Sequence, residues 1–536
     1  MKQNKTQELL RIYRSLKSQR EPWDSWWRSL RRYVLPNRPS STDIFQNQQF
    51  PQDAEELLDT TAVESCQKLA SAHMSYITPS HDVWFKWSAP DHLGGDEAES
   101  WYNTCSEIAL KELTASNFYT EIHECFLDRV AFGTGSMFIG TNKEGRLTFS
   151  NIPCGQFVCA ENDESQVDTY IREFTLSGYQ AVRKFGLERL GEKLKKSIQD
   201  SKNPYGISFR FLHVVRPRKK LNKHTPKYES VYLSLDDEVI VEEGSYEEFP
   251  YLVTRFLKWG DGPYGIAPGR LVFPAIKQAQ FLNKILDTLG EVAAFPRILE
   301  LANQIGEVDL RAGGRTIITA EAAALHLPRE WATQGRYDIG LNRLEHKQEA
   351  IKKAFFVPML ELWGSRSGGV TATEVMAREN ERVLLFSPSF TLFVSDLFQA
   401  MTRLFSLLFR LGKFPEPPPC VIRQNAVGEM LVNEPQVVYQ SKIALILRRL
   451  QNEGVDRSLQ RLAMMSQWAP DLANHIDWDK CFRLTARAEG LPEAALKSQN
   501  DIDEQKLQME QQIAETAQTQ QKLHPLIAQL TQTERE

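Results

Sequence analysis

Apolar positions recur with helical period over the first 35 residues, where Leu9, Ile12, Tyr13 and Leu16 share one stripe. Arg11, Arg14 and Lys17 fall largely off it. The period continues through Trp23, Trp26, Trp27 and Leu30, with Arg28, Arg31, Arg32 and Tyr33 interleaved. Arginines among aromatics can grip nucleic acid by charge and stacking. The favoured reading is an amphipathic helix with its tryptophans inward and its arginines toward water or a neighbouring subunit. A polar loop over 36–52 leads to a predicted helix over 53–77, ending before Pro79. From about residue 118 the texture changes. A helix over 119–132 precedes strand-like runs at 133–140, 147–151, 155–160 and 167–176. A short helix over 177–185 is followed by further strands at 208–215, 228–235, 238–243 and 251–259.

The pattern then lengthens. Residues 275–293 place Ile276, Ala279, Leu282, Leu286, Leu289 and Ala293 on one face, while Lys277, Lys284 and Glu291 recur every seven residues elsewhere on the surface. A strand-rich excursion over 297–340 separates this helix from a second, with Leu341, Leu344, Gln348, Ile351 and Phe355 in line. Two helices flanking a compact insert predict an antiparallel hairpin with a small domain at its far end. A glycine-rich loop over 362–369 runs into Thr371-Ala372-Thr373-Glu374, which has capping-box spacing. The helix beginning there is expected to stop at Ser387-Pro388, with a separate apolar helix over 390–411 closed by Gly412 and the proline-rich run 415–419. The last third reads as helical, and from about residue 498 the tail is Gln-rich.

Charge narrows the functions this framework can serve. The 536 residues carry a net charge of −5, so the chain is not a cationic wrapper of nucleic acid, and DNA contact must be local or weak. The basic stretch 216–227 reads as a solvated hairpin tip. Seven scattered cysteines form no C-x-x-C pair, which argues against a disulfide framework or zinc finger; Cys154 and Cys159 are expected as buried thiols. The N-terminal stretch has no apolar signal core, and the densest apolar run, 386–411, is interrupted by Asp396 and Arg403 and reads as a buried helix rather than a membrane insertion. Catalytic signatures fail on inspection. Gly186 to Lys193 puts Glu192 where a phosphate loop needs lysine, and Gly133-Thr134-Gly135 lies between helix and strand in the wrong order for a dinucleotide site. Asp236, Asp237 and Glu238 read as a turn facing water. No cofactor, no metal and no enzymatic activity are expected.

The order of segments resembles the portal, or head-to-tail connecting, proteins of short-tailed bacteriophages. The residues that carry it are Tyr264-Gly265 with Pro268-Gly269, the glycine-rich loop running into Val370 to Val375 with Arg378 and Glu381 beyond, and Ala486 to Pro492 ahead of the tail. The bulky Trp363 departs from the family pattern. The resemblance implies an α+β, mainly helical fold: wing 1–262, first stem helix 263–296, small α/β clip 297–340, second stem helix 341–358 and channel loop 359–371. Wing-spanning helices and a connector would follow at 372–429, a helical crown at 430–497 and a frayed tail at 498–536. It further implies a ring of identical subunits, usually a dodecamer, at one capsid vertex of the virion, assembled in the host cytoplasm. The implied partners are double-stranded DNA, the terminase large subunit, tail adaptors, and the major capsid and scaffolding proteins. Candidate DNA-channel residues are Arg366 with Ser365 and Ser367 on the loop, and Lys277 and Lys284 on the first stem helix. The two lysines have an equal alternative, solvating their helix or bridging to the next subunit. The rivals are another structural tail or ejection protein and, behind it, a nucleic-acid-processing enzyme.

Overall fold

The computed structural model describes residues 2–36, 38, 57–90, 93, 96–201, 203–219, 226–260, 262–294, 297–299, 329–331, 337–360, 372–424 and 430–440, with short stretches between 458 and 486. Helices and antiparallel sheets both contribute, and the chain divides into two compact units. The first holds residues 1–81, 108–375 and 385–413; the second holds 82–107, 376–384 and 414–536.

The N-terminal stripe builds one helix, α1 (Lys2–Val34), which continues through Pro22. Pro22 and Ser18, whose carbonyl loses its partner, are both exposed, so water replaces the missing bond. The buried Arg20 clamps the break: it pairs with Asp24 one turn on (3.0 Å) and donates to the Phe157 carbonyl (2.5 Å). Helix α2 (Thr61–Ile77) starts later than the apolar pattern predicts. The backbone before it is engaged elsewhere, because the N–H groups of Leu58 and Asp59 donate to the Gln280 side chain. In the second unit, strand β1 (Phe85–Ser88) precedes α3 (Asp96–Ala115), whose Ala98, Trp101, Tyr102, Cys105, Ala109 and Leu113 form a buried stripe at helical spacing and which runs on into the first unit.

The strands of the first unit follow the predicted runs closely. Helix α4 (Phe118–Phe132) leads into β2 (Thr134–Thr141), β3 (Leu147–Asn151), β4 (Phe157–Glu161) and β5 (Val167–Ser177). Helices α5 (Gly178–Phe185) and α6 (Glu192–Asp200) intervene before β6 (Ser208–Pro217), β7 (Tyr228–Ser234), β8 (Val239–Tyr246) and β9 (Tyr251–Arg255). Strands β4 to β8 form a five-stranded antiparallel sheet in sequence order, and β3-β2-β9 form a three-stranded one. Alternation gives the larger sheet two apolar faces. On one, Leu9, Leu10 and Tyr13 of α1 pack against Ile171, Leu212, Val214 and Val231. On the other, Ala181, Phe185 and Leu194 cover Phe209 and Phe211. The Asp236–Glu238 segment is a turn as expected, but Asp237 also accepts from the Leu194 N–H in the first turn of α6.

The helical hairpin predicted beyond residue 262 is present. After β10 (Leu257–Lys258), β11 (Gly265–Ile266) and the short α7 (Pro268–Leu271) comes α8 (Phe273–Ala294). Strands β12 (Arg297–Leu299) and β13 (Arg329–Trp331) pair antiparallel, and α9 (Tyr337–Ala354) returns. The second helix stops at Ala354 rather than 358: Phe356 has φ +58°, which ends the helix before the one-turn α10 (Val357–Leu360). The glycine-rich loop, 361–371, lies outside the described residues.

Two helices predicted on either side of Pro388 are one, α11 (Ala372–Arg410). Proline there costs a hydrogen bond, about 3 kcal/mol, in an unsupported helix. Support comes from burial of Phe390, Phe393, Leu397, Leu404, Phe405 and Leu408, and from a buried arginine. Arg129 donates from Nη2 to the Ser389 carbonyl (2.6 Å) and hydroxyl (3.0 Å), directly after the proline. Burial pulls its pKa down to about 10 against the opposing pull of Asp396. Asp396 accepts from the Arg255 N–H (3.1 Å), and the Arg255 guanidinium pairs with Glu161. Residues 388–410 are long and apolar enough to cross a membrane (mean hydropathy 1.3). Their buried Arg403 instead donates to the carbonyls of Ile139 and Glu248, which marks a core helix.

In the second unit, β16 (Gln436–Tyr439) pairs antiparallel with β1 over an aromatic cluster of Trp84, Phe85, Trp87, Trp101, Tyr102 and Phe414. The Tyr102 hydroxyl donates to the Asn433 carbonyl (2.8 Å). Strands β14 (Ile422–Gln424) and β15 (Met430–Val432) form a second pair, and Val437–Tyr439, where the first helix of the C-terminal third is expected to open, lie in β16 instead. Short helical stretches follow between 458 and 486; the tail beyond 498 lies outside the described residues. Cys66, Cys105, Cys125, Cys154 and Cys159 are buried free thiols.

His73 of α2 is buried against Phe126 and Phe256, and its Nδ1–H donates to the Leu69 carbonyl (2.8 Å). Burial, helped by Arg129, lowers its pKa from 6.5 to about 3. Between those values the unfolded chain takes up a proton that the folded chain refuses. Its contribution is therefore full above pH 6.5 and is lost as pH falls toward 3, at up to ~1.4 kcal/mol per pH unit. Denaturant titrations from pH 7 to 4 should show wild type losing stability faster than His73→Leu. At Gly133 the backbone has φ +90°, and a Cβ would overlap the Gly265 carbonyl. Gly133→Ala should cost about 3 kcal/mol, read as an earlier thermal transition.

Candidate functional site

The hairpin begins from a closely fixed point. Gly133 caps α4 in a left-handed conformation and lies against the Gly265 backbone, while the Gly265 N–H donates to the Thr134 hydroxyl (2.9 Å). Neither residue has room for a side chain. Tyr264, just before, is buried against Trp23 and Trp27 of α1, with ring centroids at 5.8 and 5.3 Å. The Trp27 indole donates to the Phe132 carbonyl (3.2 Å). Gly269 lets α7 approach Leu30, Val34 and Phe355. The Tyr-Gly and Pro-Gly pairs thus seat the start of α8 on α1 and α4. Of the tryptophans expected inward, Trp27 is buried, but Trp26 is 38% exposed and meets Phe273 edge-on. The Arg270 guanidinium lies between Trp23, Trp26 and Trp259, 4.8–5.5 Å from each ring.

The two long helices run antiparallel. Leu286 of α8 abuts Gly340 near the start of α9, while Gln280 and Asn283 share a partner with Gln348 further along. That partner is Asp59. Its carboxylate accepts from Gln348 (2.6 Å), Asn283 (3.4 Å) and the Thr61 N–H (3.1 Å), tying α8, α9 and the start of α2 together. Ile276, Ala279 and Leu286 of α8, with Leu344 and Ile351 of α9, are buried. The other arc of each helix is exposed among the described residues.

Lys277 and Lys284, two turns apart on α8, are both exposed and are brought together as the rim of one recess of about 350 Å³. Arg32, Tyr33, Leu57, Leu58, Gln280 and Phe281 complete it. Lys277 Nζ stands 5.0 Å from the Phe273 ring and Arg32 stacks near Tyr33. Three cations around a shallow recess can hold an anionic oxygen or a carboxylate, and among the described residues that line it there is no carboxylate. The sequence pairs the lysines by their spacing and marks Arg32 and Tyr33 in the arginine–aromatic stretch, but does not join the two sets. Nothing in the pattern singles out Asp59. Ser365, Arg366 and Ser367, with Trp363, lie outside the described residues. Among the described residues no group of His, Cys, Asp or Glu side chains is placed to hold a metal ion.

Comparison with known proteins adds the missing frame. The protein described as "Probable portal protein" of Bordetella phage BPP-1 is 23% identical over 487 residues, covering 88% of this chain and 85% of its own. The "Portal protein" of Salmonella phage epsilon15 is 22% identical over 522 residues, covering 94% and 90%. A chain in the solved neck of an empty GTA particle aligns with a TM-score of 0.37 at 10% identity, over 75% of this chain and 86% of its own. The family pattern described as "Bacteriophage head to tail connecting protein" runs through residues 6–496, taking in both sheets, the hairpin and α11. A match that continuous, through the glycine locks and helices that build the site, means the chain belongs to the bacteriophage head-to-tail connecting protein family.

Proposed function

We propose that this chain is the portal subunit of a phage head: copies close into a ring at one capsid vertex, and double-stranded DNA passes through the hole during packaging and ejection. The observation that carries this reading is the α8–α9 hairpin, tied across its two arms by Asp59 and exposed on its outer arcs among the described residues. A helix of 22 residues spans about 33 Å, enough for a pore wall of several duplex base steps. In this assignment residues 1–262 are the wing and α8 and α9 the stem. The strand pair β12–β13 opens a clip over 297–336, which would meet the terminase large subunit and later the tail adaptors. The channel loop is 361–371, and the crown lies within 430–497. Capsid and scaffolding proteins would surround the wing.

A conduit must let duplex slide. Each phosphate neutralised adds affinity through counterion release, so a wall of fixed cations would stall the strand. An acidic chain with a few local cations suits transient contact. We assign that contact to the loop, with Arg366 touching the backbone and Ser365 and Ser367 flanking it.

Negative-stain images of the purified chain should show closed rings with a central hole; a protein that stays monomeric under all conditions overturns the assignment. Arg366→Ala should lower DNA retention in filled heads without affecting ring assembly. Unchanged packaging and retention would remove Arg366 from the channel.

A further inference from the structure

The uncovered arcs of the hairpin differ in character. On α8, Lys277, Phe281, Lys284 and Ile285 share one outward arc, with Phe281 64% and Ile285 37% exposed. On α9, Tyr337, Leu341, Glu345 and Glu349 follow one ridge at four-residue spacing, with Tyr337 51% and Leu341 41% exposed. A phenyl ring two-thirds open between two lysines is poor material for a wetted wall and good material for a protein contact.

We infer that these arcs are the two halves of one head-to-tail joint: the α8 arc of each copy receives the α9 arc of the next, with Lys284 against Glu345, Lys277 against Glu349 and Ile285 against Leu341. This rests on the ring reading above. A ring closed by a heterologous contact needs two different, complementary patches on every copy, and the hairpin offers a basic-apolar one and an acidic-apolar one. The register follows from symmetry. Rotation about an axis along the hairpin preserves height, so residues level within one chain are level between neighbours. Within the chain Leu286 is level with Gly340, and Asn283 meets Gln348 through Asp59. The same stagger sets Glu345 level with Lys284 and Glu349 with Lys277. Lys352 and Lys353 lie one turn beyond Glu349, and Lys353 already approaches it at 3.7 Å, so the discriminating pair is Lys284–Glu345. In this arrangement the two lysines bind protein, and DNA contact falls to the loop.

The test is a charge swap in the full-length chain, read by sedimentation velocity and negative stain, with circular dichroism reporting the fold. Lys284→Glu or Glu345→Lys alone should cut the ring fraction at fixed subunit concentration about tenfold or more, and the double swap should restore it. Singles that assemble like wild type, or a double no better than the singles, overturn the joint while leaving the ring intact. A wild type that never forms rings overturns the ring reading instead. Phe281→Ser carries the test independently: a folded variant should assemble poorly, and one with normal rings removes this arc from the contact.

Discussion

A helical hairpin exposed along its outer arcs is placed by one buried face and by a few fixed groups. One of these is a carboxylate. Asp59 accepts hydrogen bonds from both arms of the hairpin and from the first turn of α2, and each bond to a charged acceptor contributes about 1.5–3 kcal/mol. The second restraint is steric. Gly133 and Gly265 approach so closely that neither position admits a side chain, which fixes the strand leading into α7 against the end of α4. Polar and steric restraints act from different elements and add to the burial of Ile276, Ala279, Leu286, Leu344 and Ile351 in orienting the hairpin.

Behind that base, the first unit spends buried charge to hold its longest apolar helix. Arg129, Asp396, Arg255 and Glu161 alternate in sign within the core and connect α4, α11, β9 and β4. Such groups are expensive to desolvate and tolerable only when nearly every donor finds an acceptor. Arg129 finds acceptors in the Arg255 carbonyl and in the carbonyl and hydroxyl of Ser389, next to Pro388, while its Nη1 is left without one.

Much of this was legible in the sequence. The strands from 134 to 255 alternate and are bounded by turn residues, and the period-3.6 faces of α8 and α9 are long. Local pattern was sufficient there. It failed where distant partners decide. Nothing near Phe85 indicates pairing with Tyr439. The start of α2 is set by the Gln280 side chain, more than 200 residues away. Pro388 reads as a terminator until Arg129 is known to stand beside it. The lysine pair was visible by its spacing, but its surroundings, Phe281 and the arc on α9, acquire meaning only once the two helices are placed in register.

Both long helices, α1 and α11, keep their course through an internal proline. A rod with one missing rung bends at that rung before it bends anywhere else. In each, the first polar clamp sits within two residues of the defect: Arg20 before Pro22, and Ser389 after Pro388. The chain therefore carries two built-in points of low stiffness, each stapled on one side. Under load, deformation should gather at these joints and spare the packed sheets.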